Sequence, residues 1–165
     1  MNTRTVSTSS PPPIEVRVEI ATTAPADRMW DLLADVAAWP SWHRACRWVR
    51  IESVDPATSP TSFRWKAHPI ALRSTVVAAA RPRLFAFVAD GRGVHAEHTF
   101  TIWPTPDGRG SVVVSHETQV GWLPWLGRLV LAPRLRAANQ AWLADLARAA
   151  GEVDPDTKPR KEKTR

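Results

Sequence analysis

The chain has 165 residues, the size of one globular domain with tails, and a net charge of +6 that is spread over single arginines without a Lys/Arg block. This distribution argues against nucleic-acid binding, which usually depends on a clustered basic stripe, so we expect no nucleic-acid partner. A single cysteine, Cys46, excludes an internal disulfide and a thiolate metal cluster.

The two ends of the chain differ in composition from its middle. Residues 1–13 are rich in Ser, Thr and Pro and lack the apolar core of a signal peptide, while residues 152–165 carry charges of both signs. The longest apolar stretch, residues 120–133, is too short and too interrupted to span a bilayer. We therefore expect a cytoplasmic protein with disordered tails at 1–13 and 152–165 and one folded domain at 14–151.

The folded part is predicted to begin with a strand and two short helices. Apolar and charged side chains alternate over residues 14–20, which indicates a half-buried strand. Pro25 fits the first turn of a helix, where its missing N–H costs nothing. Asp35 can begin a second helix, which has to end near Trp39 because Pro40 disfavours helical geometry in the residue before it.

Strands follow one another through the middle of the chain, and a long helix closes it. The predicted strands cover residues 46–54, 61–68, 70–80, 83–90, 94–103 and 111–120. Residues 122–131 are predicted to be helical, and Pro133 to kink or restart that helix. Over 133–150 apolar residues recur at helical spacing, with Asp145 largely off the stripe. The whole pattern predicts an α+β fold, in which a seven-stranded curved antiparallel sheet grips a long C-terminal helix and two short helices lie between strands 1 and 2.

Alternation along the strands predicts which side chains face the helix. The expected inward residues include Phe63, Trp65, Leu72, Ser74, His98, Phe100, Val114 and His116. On residues 83–90 both faces are apolar, so the pattern leaves open which of them points inward. Large aromatics on the inward face could fill any cavity completely, since the chain has nine tryptophans.

Two histidines, His98 and His116, fall on these otherwise apolar faces. They lie in an almost symmetric register about the turn near residues 104–110, so we predict that they are cross-strand neighbours. Two interpretations stay open: an imidazole pair that acts as a general base or binds a ligand carbonyl, or two packed histidines satisfied by backbone groups or water. Glu97 and Glu117 have the opposite parity and are predicted to point outward.

No other pattern in the chain indicates metal or cofactor chemistry. His95 and His98 are three residues apart, a spacing that puts them on opposite faces of a strand, so we expect no metal site. Phosphate-binding loops and dinucleotide fingerprints are missing, so we expect no cofactor. Cys46 lies near Arg44 and Arg47, which would favour a thiolate, although a half-buried structural cysteine is the simpler interpretation. The absence of tyrosine removes a common proton donor and argues modestly against catalysis.

The segment from Gly121 to Leu126 has three interpretations. It is a mobile flap at the entrance of a cavity, an interfacial patch that contacts a membrane transiently through Trp122 and Trp125, or an ordinary buried helix start. The buried helix start is the simplest of the three.

Local motifs combine with the order of elements into a resemblance to a known superfamily. The motifs are Trp30-Asp31-Leu32-Leu33, Asp35 before Trp39-Pro40-Ser41-Trp42, Phe63-Arg64-Trp65, the segment from Gly93 to His98-Thr99-Phe100, and Glu117 to Gly121. Over residues 14–150 the chain resembles the SRPBCC superfamily of START-like helix-grip proteins and is most similar to polyketide cyclase/dehydrase-type proteins. The resemblance implies a deep, largely apolar pocket that holds lipids, polyketides, sterols, quinones or other hydrophobic small molecules. It does not choose a reaction, because members include cyclases, hydrolases, transfer proteins and simple binders.

Three functions are compatible with the sequence, and neither catalysis nor the oligomeric state is predicted. The first is binding of a hydrophobic small molecule in a cavity between the sheet and the last helix. The second is a polyketide cyclase/dehydrase-like enzyme that uses His98 or His116 as its base, and the third is a lipid or quinone chaperone that docks on a membrane or a partner. The predicted ligand-binding residues are Phe63, Trp65, Leu72, Ser74, His98, Phe100, Val114, His116, Leu135, Asn139, Trp142 and Leu146.

Overall fold

The computed structural model describes residues 12–53, 62–67 and 70–151. The predicted tails beyond these limits, and the predicted strand ends at 54, 61 and 68, lie outside the described residues. The elements in chain order are β1 (Ile14–Thr22), α1 (Ala26–Ala34), a 3-10 turn (Val36–Ala38), α2 (Trp39–Trp42), β2 (Cys46–Ser53), β3 (Ser62–Ala67), β4 (Ile70–Ala80), β5 (Leu84–Gly91), β6 (Val94–Pro104), β7 (Ser111–Val120) and α3 (Trp122–Gly151).

The strands form one antiparallel sheet in the order β1-β7-β6-β5-β4-β3-β2. Strands β2 to β7 follow one another as a meander, and β1 pairs with the outer edge of β7. Helix α3 packs across the β1 and β7 side of the sheet, with α1 beside it. The predicted helix-grip fold is therefore confirmed, including the two short helices between β1 and β2.

The boundaries of the two short helices differ from the prediction. The second helix was expected to end near Trp39, but α2 begins there. Asp35 instead begins the 3-10 turn, where its carboxylate accepts a hydrogen bond from the Ala38 N–H (3.3 Å). Pro40 lies in the first turn of α2, where the lack of an N–H is harmless. The Trp-Pro-Ser-Trp run is thus a single helical turn.

Trp39 lies at the centre of the core. Its side chain is fully buried, and its indole N–H donates to the Leu33 carbonyl (3.0 Å). Five aromatic rings surround it at centroid distances of 5.1–6.5 Å, namely Phe63, Trp65, Phe85, Phe87 and Trp142. These rings come from β3, β5 and α3, so the α2 corner connects the sheet with the helix. Both phenylalanines of β5 are buried on the inward face, which the sequence pattern left open.

Helix α3 is continuous over 30 residues, and Pro133 lies inside it, so of the two predicted alternatives, a kink or a restart at Pro133, the restart is wrong. The two halves of the helix have different surroundings. In the second half Leu143 and Leu146 are buried against the sheet, whereas in the first half Leu126 and Leu129 are 74% and 92% exposed. The sheet therefore grips the second half of α3 and leaves the first half at the surface.

Strand β7 is shifted by one residue relative to the prediction. The turn between β6 and β7 sets a register in which His98 lies opposite Glu117 and not opposite His116. Directly opposed residues share a face of the sheet, so Glu117 points inward, while His116 and Val114 lie on the outer face. A slip of one residue moves every side chain of a strand to the other face. The prediction was wrong here because the outer face of β7 is the more apolar one.

Candidate functional site

A cavity of about 460 Å³ lies between the sheet and α3. Small side chains make room for it, because Ala67, Ala89 and Ala96 lie where β3, β5 and β6 face the helix. Arg134 and Ala138 also line it and are exposed, so the cavity reaches the surface beside α3. Its volume lies within the range of small-molecule sites, which are mostly apolar with a few placed polar groups.

The cavity contains half of the predicted ligand-binding residues. Those that line it are Trp65, Leu72, His98, Leu135, Asn139 and Trp142. Phe63, Phe100 and Leu146 are fully buried in the core instead. The aromatic cluster around Trp39 therefore fills one part of the space inside the sheet and leaves the other part open.

The remaining predicted residues, Ser74, Val114 and His116, do not line the cavity. Ser74 is buried and accepts a hydrogen bond from the Trp65 indole N–H (2.9 Å). His116 lies on the outer face, where its Nε2 is 2.7 Å from a carboxylate oxygen of Glu15. The predicted inward positions of His116 and Val114 are therefore wrong, because both follow from the incorrect register of β7.

His98 is a buried imidazole on the cavity wall. Its Nε2 lies 2.8 Å from the Ser115 hydroxyl, and its ring stacks on Phe100 with centroids 4.3 Å apart. The rings of His98 and Trp142 meet edge to face, with their centroids 5.2 Å apart. Burial lowers the pKa of His98 below its ordinary value, and the nearby Glu117 carboxylate opposes that shift. We therefore expect the His98 imidazole to be neutral at neutral pH.

Glu117 lies beside His98 on the cavity wall, contrary to the predicted outward position. One of its carboxylate oxygens is 3.7 Å from Nδ1 of His98, and the other accepts a hydrogen bond from the Gln119 amide (2.8 Å). It is 8% exposed and lines the cavity. The length of the β6–β7 turn could have predicted the inward position of Glu117, because the turn sets the register of β7 and so decides which face each of its residues lies on.

A second buried imidazole, His43, was missed by the sequence analysis. It follows α2, lines the cavity and stacks on Trp142 at 4.3 Å with the two planes 20° apart. Its Nδ1 lies 3.4 Å from Asp145 of α3. Burial lowers the pKa of His43, and Asp145 opposes the shift through a hydrogen bond and its charge.

Asp145 holds this corner together, although helical periodicity placed it off the buried stripe. Its carboxylate accepts the Arg44 backbone N–H (2.9 Å) and lies 3.2 Å from Nε of Arg44. The residue is 5% exposed. A buried carboxylate is costly unless it is paired or hydrogen-bonded, and these contacts supply its partners.

Cys46 and His95 have no part in the cavity. Burial raises the pKa of the Cys46 thiol to about 11, which contradicts the activated-thiolate interpretation. His95 lies on the outer face, 2.8 Å from a carboxylate oxygen of Asp90. Within the described part of the chain, His, Cys, Asp and Glu side chains form no group of three or more that could hold a metal ion.

The first half of α3 borders the cavity with a set of solvent-exposed apolar side chains. We call them the exposed apolar face of α3: Trp122, Trp125, Leu126, Leu129 and Val130, each 53–92% exposed. The interpretation of this segment as a buried helix start is therefore wrong. Leu123 and Leu131 of the same half line the cavity, so the exposed apolar face adjoins the cavity wall. None of the described helices is long and apolar enough to cross a membrane.

The start of α3 is anchored to the turn between β5 and β6. The Trp122 ring packs directly over Gly93, which leaves no room for a Cβ atom there. The Leu123 N–H donates to the Gly93 carbonyl (3.1 Å). Gly93 also has a positive φ of 78°, so both its backbone conformation and this contact favour glycine.

The sequence matches the family model described as polyketide cyclase / dehydrase and lipid transport over residues 13–151. No curated protein has a significant sequence match to the chain.

Several solved structures share the fold. A START superfamily protein from Mycobacterium smegmatis aligns with a TM-score of 0.66 at 18% identity, over 82% of this chain and 92% of that one. The Zhui aromatase/cyclase from Streptomyces sp. R1128 has a TM-score of 0.70 at 17% identity, over 84% of this chain and 94% of that one. Truncated norcoclaurine synthase from Thalictrum flavum has a TM-score of 0.68 at 14% identity, over 89% of this chain and 99% of that one. At these identities the likeness concerns the fold alone.

Proposed function

Because this chain belongs to the polyketide cyclase / dehydrase and lipid transport family within the START-like superfamily, we propose that it binds a hydrophobic small molecule between the sheet and α3. The observation that carries the proposal is the cavity of about 460 Å³ with largely apolar walls. Burial of apolar ligand surface there contributes about 25 cal/mol per Å² before the costs of association.

The test is native mass spectrometry of the purified protein, followed by solvent extraction of any bound molecule. A discrete additional mass that is lost on denaturation supports the proposal. The matched variants are Ala96→Trp, which fills the cavity from β6, and Ala71→Trp, which adds the same ring at an exposed position on β4. We expect Ala96→Trp to lose the additional mass and Ala71→Trp to keep it. An additional mass retained by a folded Ala96→Trp variant would contradict the proposed site.

An enzymatic function is the second candidate, because His98 combines burial, a lowered pKa and a position on the cavity wall. A neutral imidazole is a general base, and the polyketide cyclase/dehydrase-like reaction would require proton removal from the bound molecule. A folded His98→Gln variant that retains the extracted ligand but no longer converts it supports this candidate. Undiminished conversion by the same variant excludes His98 as the base.

A lipid or quinone chaperone that docks on a membrane is the third candidate, and the exposed apolar face of α3 favours it. The proposed partner of this face is the surface of an anionic bilayer. Residues 122–144 of α3 contain Arg128, Arg134 and Arg136 but no acidic residue, so the charge of this part of the helix complements anionic head groups. Because this face adjoins the cavity wall, a molecule leaving the bilayer would have a short path inward.

A further inference from the structure

Two residues that line the cavity, Asn139 and Trp142, carry polar atoms that the protein does not satisfy. Nδ2 of Asn139 and Nε1 of Trp142 are buried and have no hydrogen-bond partner among the described residues. Both residues line the cavity, and they are 2% and 5% exposed. Asn139 lies three residues before Trp142 on α3, so the two side chains share one face of the helix. Buried donors without partners are rare, because leaving them unpaired is costly.

His43 adds an unused acceptor to the same place. Its ring covers the face of Trp142 at 4.3 Å, and its Nδ1 faces Asp145 at 3.4 Å. A carboxylate can only accept, so the proton of the neutral imidazole is on Nδ1 and the lone pair is on Nε2. None of the described residues donates to that Nε2. The Trp142 end of the cavity therefore combines unused donors with an unused acceptor.

We propose that the ligand carries a hydroxyl group on an otherwise apolar molecule, and that this hydroxyl donates to Nε2 of His43 and accepts from Nδ2 of Asn139. The inference rests on the proposed binding function and names the ligand chemistry at that same site. A hydroxyl is a small group that both donates and accepts, whereas a ketone or an ether satisfies Asn139 alone and a hydrocarbon satisfies neither. The apolar remainder of the cavity limits the ligand to few other polar groups.

Three probes of nearly equal shape test this assignment by isothermal titration calorimetry. They are 2-naphthol, which donates and accepts, 2-methoxynaphthalene, which accepts only, and 2-methylnaphthalene, which does neither. We expect wild type to bind 2-naphthol roughly ten-fold more tightly than 2-methylnaphthalene, with the ether between them, because each net hydrogen bond contributes a few-fold in affinity. Equal affinity for all three probes would overturn the hydroxyl assignment and leave the binding function intact. Absence of binding by all three would contradict both.

Variants assign the two hydrogen bonds to residues. His43→Phe keeps a ring on Trp142 and should remove the preference for 2-naphthol over 2-methoxynaphthalene. Asn139→Leu should reduce the affinity for both oxygen-bearing probes by a few-fold and leave 2-methylnaphthalene unchanged. Gln140→Leu is the matched control, because Gln140 is the adjacent, exposed amide and does not line the cavity.

Thermal unfolding of the ligand-free variants gives an independent readout. Asn139→Leu removes an unpartnered buried amide, so its melting temperature should equal or exceed that of wild type. A clear decrease would show that the folded protein already satisfies Asn139, which would overturn its role as a ligand donor.

Discussion

His98 and His43 are two buried imidazoles, and the folded state favours their neutral forms. Burial lowers the pKa of both histidines in the folded protein. At pH values between these lowered pKa values and about 6.5, the unfolded chain therefore binds more protons than the folded chain. The stability that they contribute is complete above about pH 6.5 and is lost as the pH falls towards the folded pKa values. We therefore expect chemical denaturation to give a lower free energy of unfolding at pH 5.5 than at pH 7.5.

The contribution of His98 to this decrease can be isolated by substitution. His98→Gln keeps a hydrogen-bonding partner for Ser115 but cannot be protonated, so its decrease between the two pH values should be smaller than that of wild type. His116→Gln is the control, because this histidine lies on the outer face beside Glu15. Equal decreases in wild type and His98→Gln would show that the buried imidazole does not oppose protonation.

At the scale of single elements, the two halves of α3 have different environments. Its second half carries the buried residues that pack on the sheet, while its first half presents the exposed apolar face. The division falls near Pro133, where the helix lacks one backbone donor. Large exposed apolar patches commonly mark contact sites, and this one adjoins the cavity wall.

The docking candidate is tested by co-sedimentation with vesicles of phosphatidylcholine and phosphatidylserine. Trp125→Ser/Leu129→Ser removes two side chains that are 56% and 92% exposed, so it should abolish sedimentation without loss of the fold. Val77→Ser is the control, because Val77 is 59% exposed but lies on β4, away from this face. Raised salt should weaken the binding by screening the arginines. Wild-type protein that stays in the supernatant would exclude the membrane as the partner.

At the scale of the whole molecule, the sequence predicted the order of elements and the helix-grip fold, because strand alternation and helical periodicity are local patterns. It predicted the candidate site only in part. Glu117 was placed outward because the parity of β7 depends on the β6–β7 turn, and not on which face is more apolar. Asp145 and His43 were missed because they meet through a contact between residues 102 positions apart, which no local pattern contains.

The aromatic cluster around Trp39 is the part of the fold that joins sheet, corner and helix, so its loss should affect the stability of the whole domain. Trp39→Ala removes a fully buried ring that contacts five others, and we expect the free energy of unfolding to fall by about 3–5 kcal/mol. Trp103→Ala removes the same side chain from the outer face of β6, where it is 55% exposed, and should cost less than about 1 kcal/mol. Denaturation by guanidinium chloride, followed by circular dichroism, measures both. Similar losses in the two variants would contradict the central position of Trp39, because they would show that its burial adds nothing beyond that of a surface tryptophan.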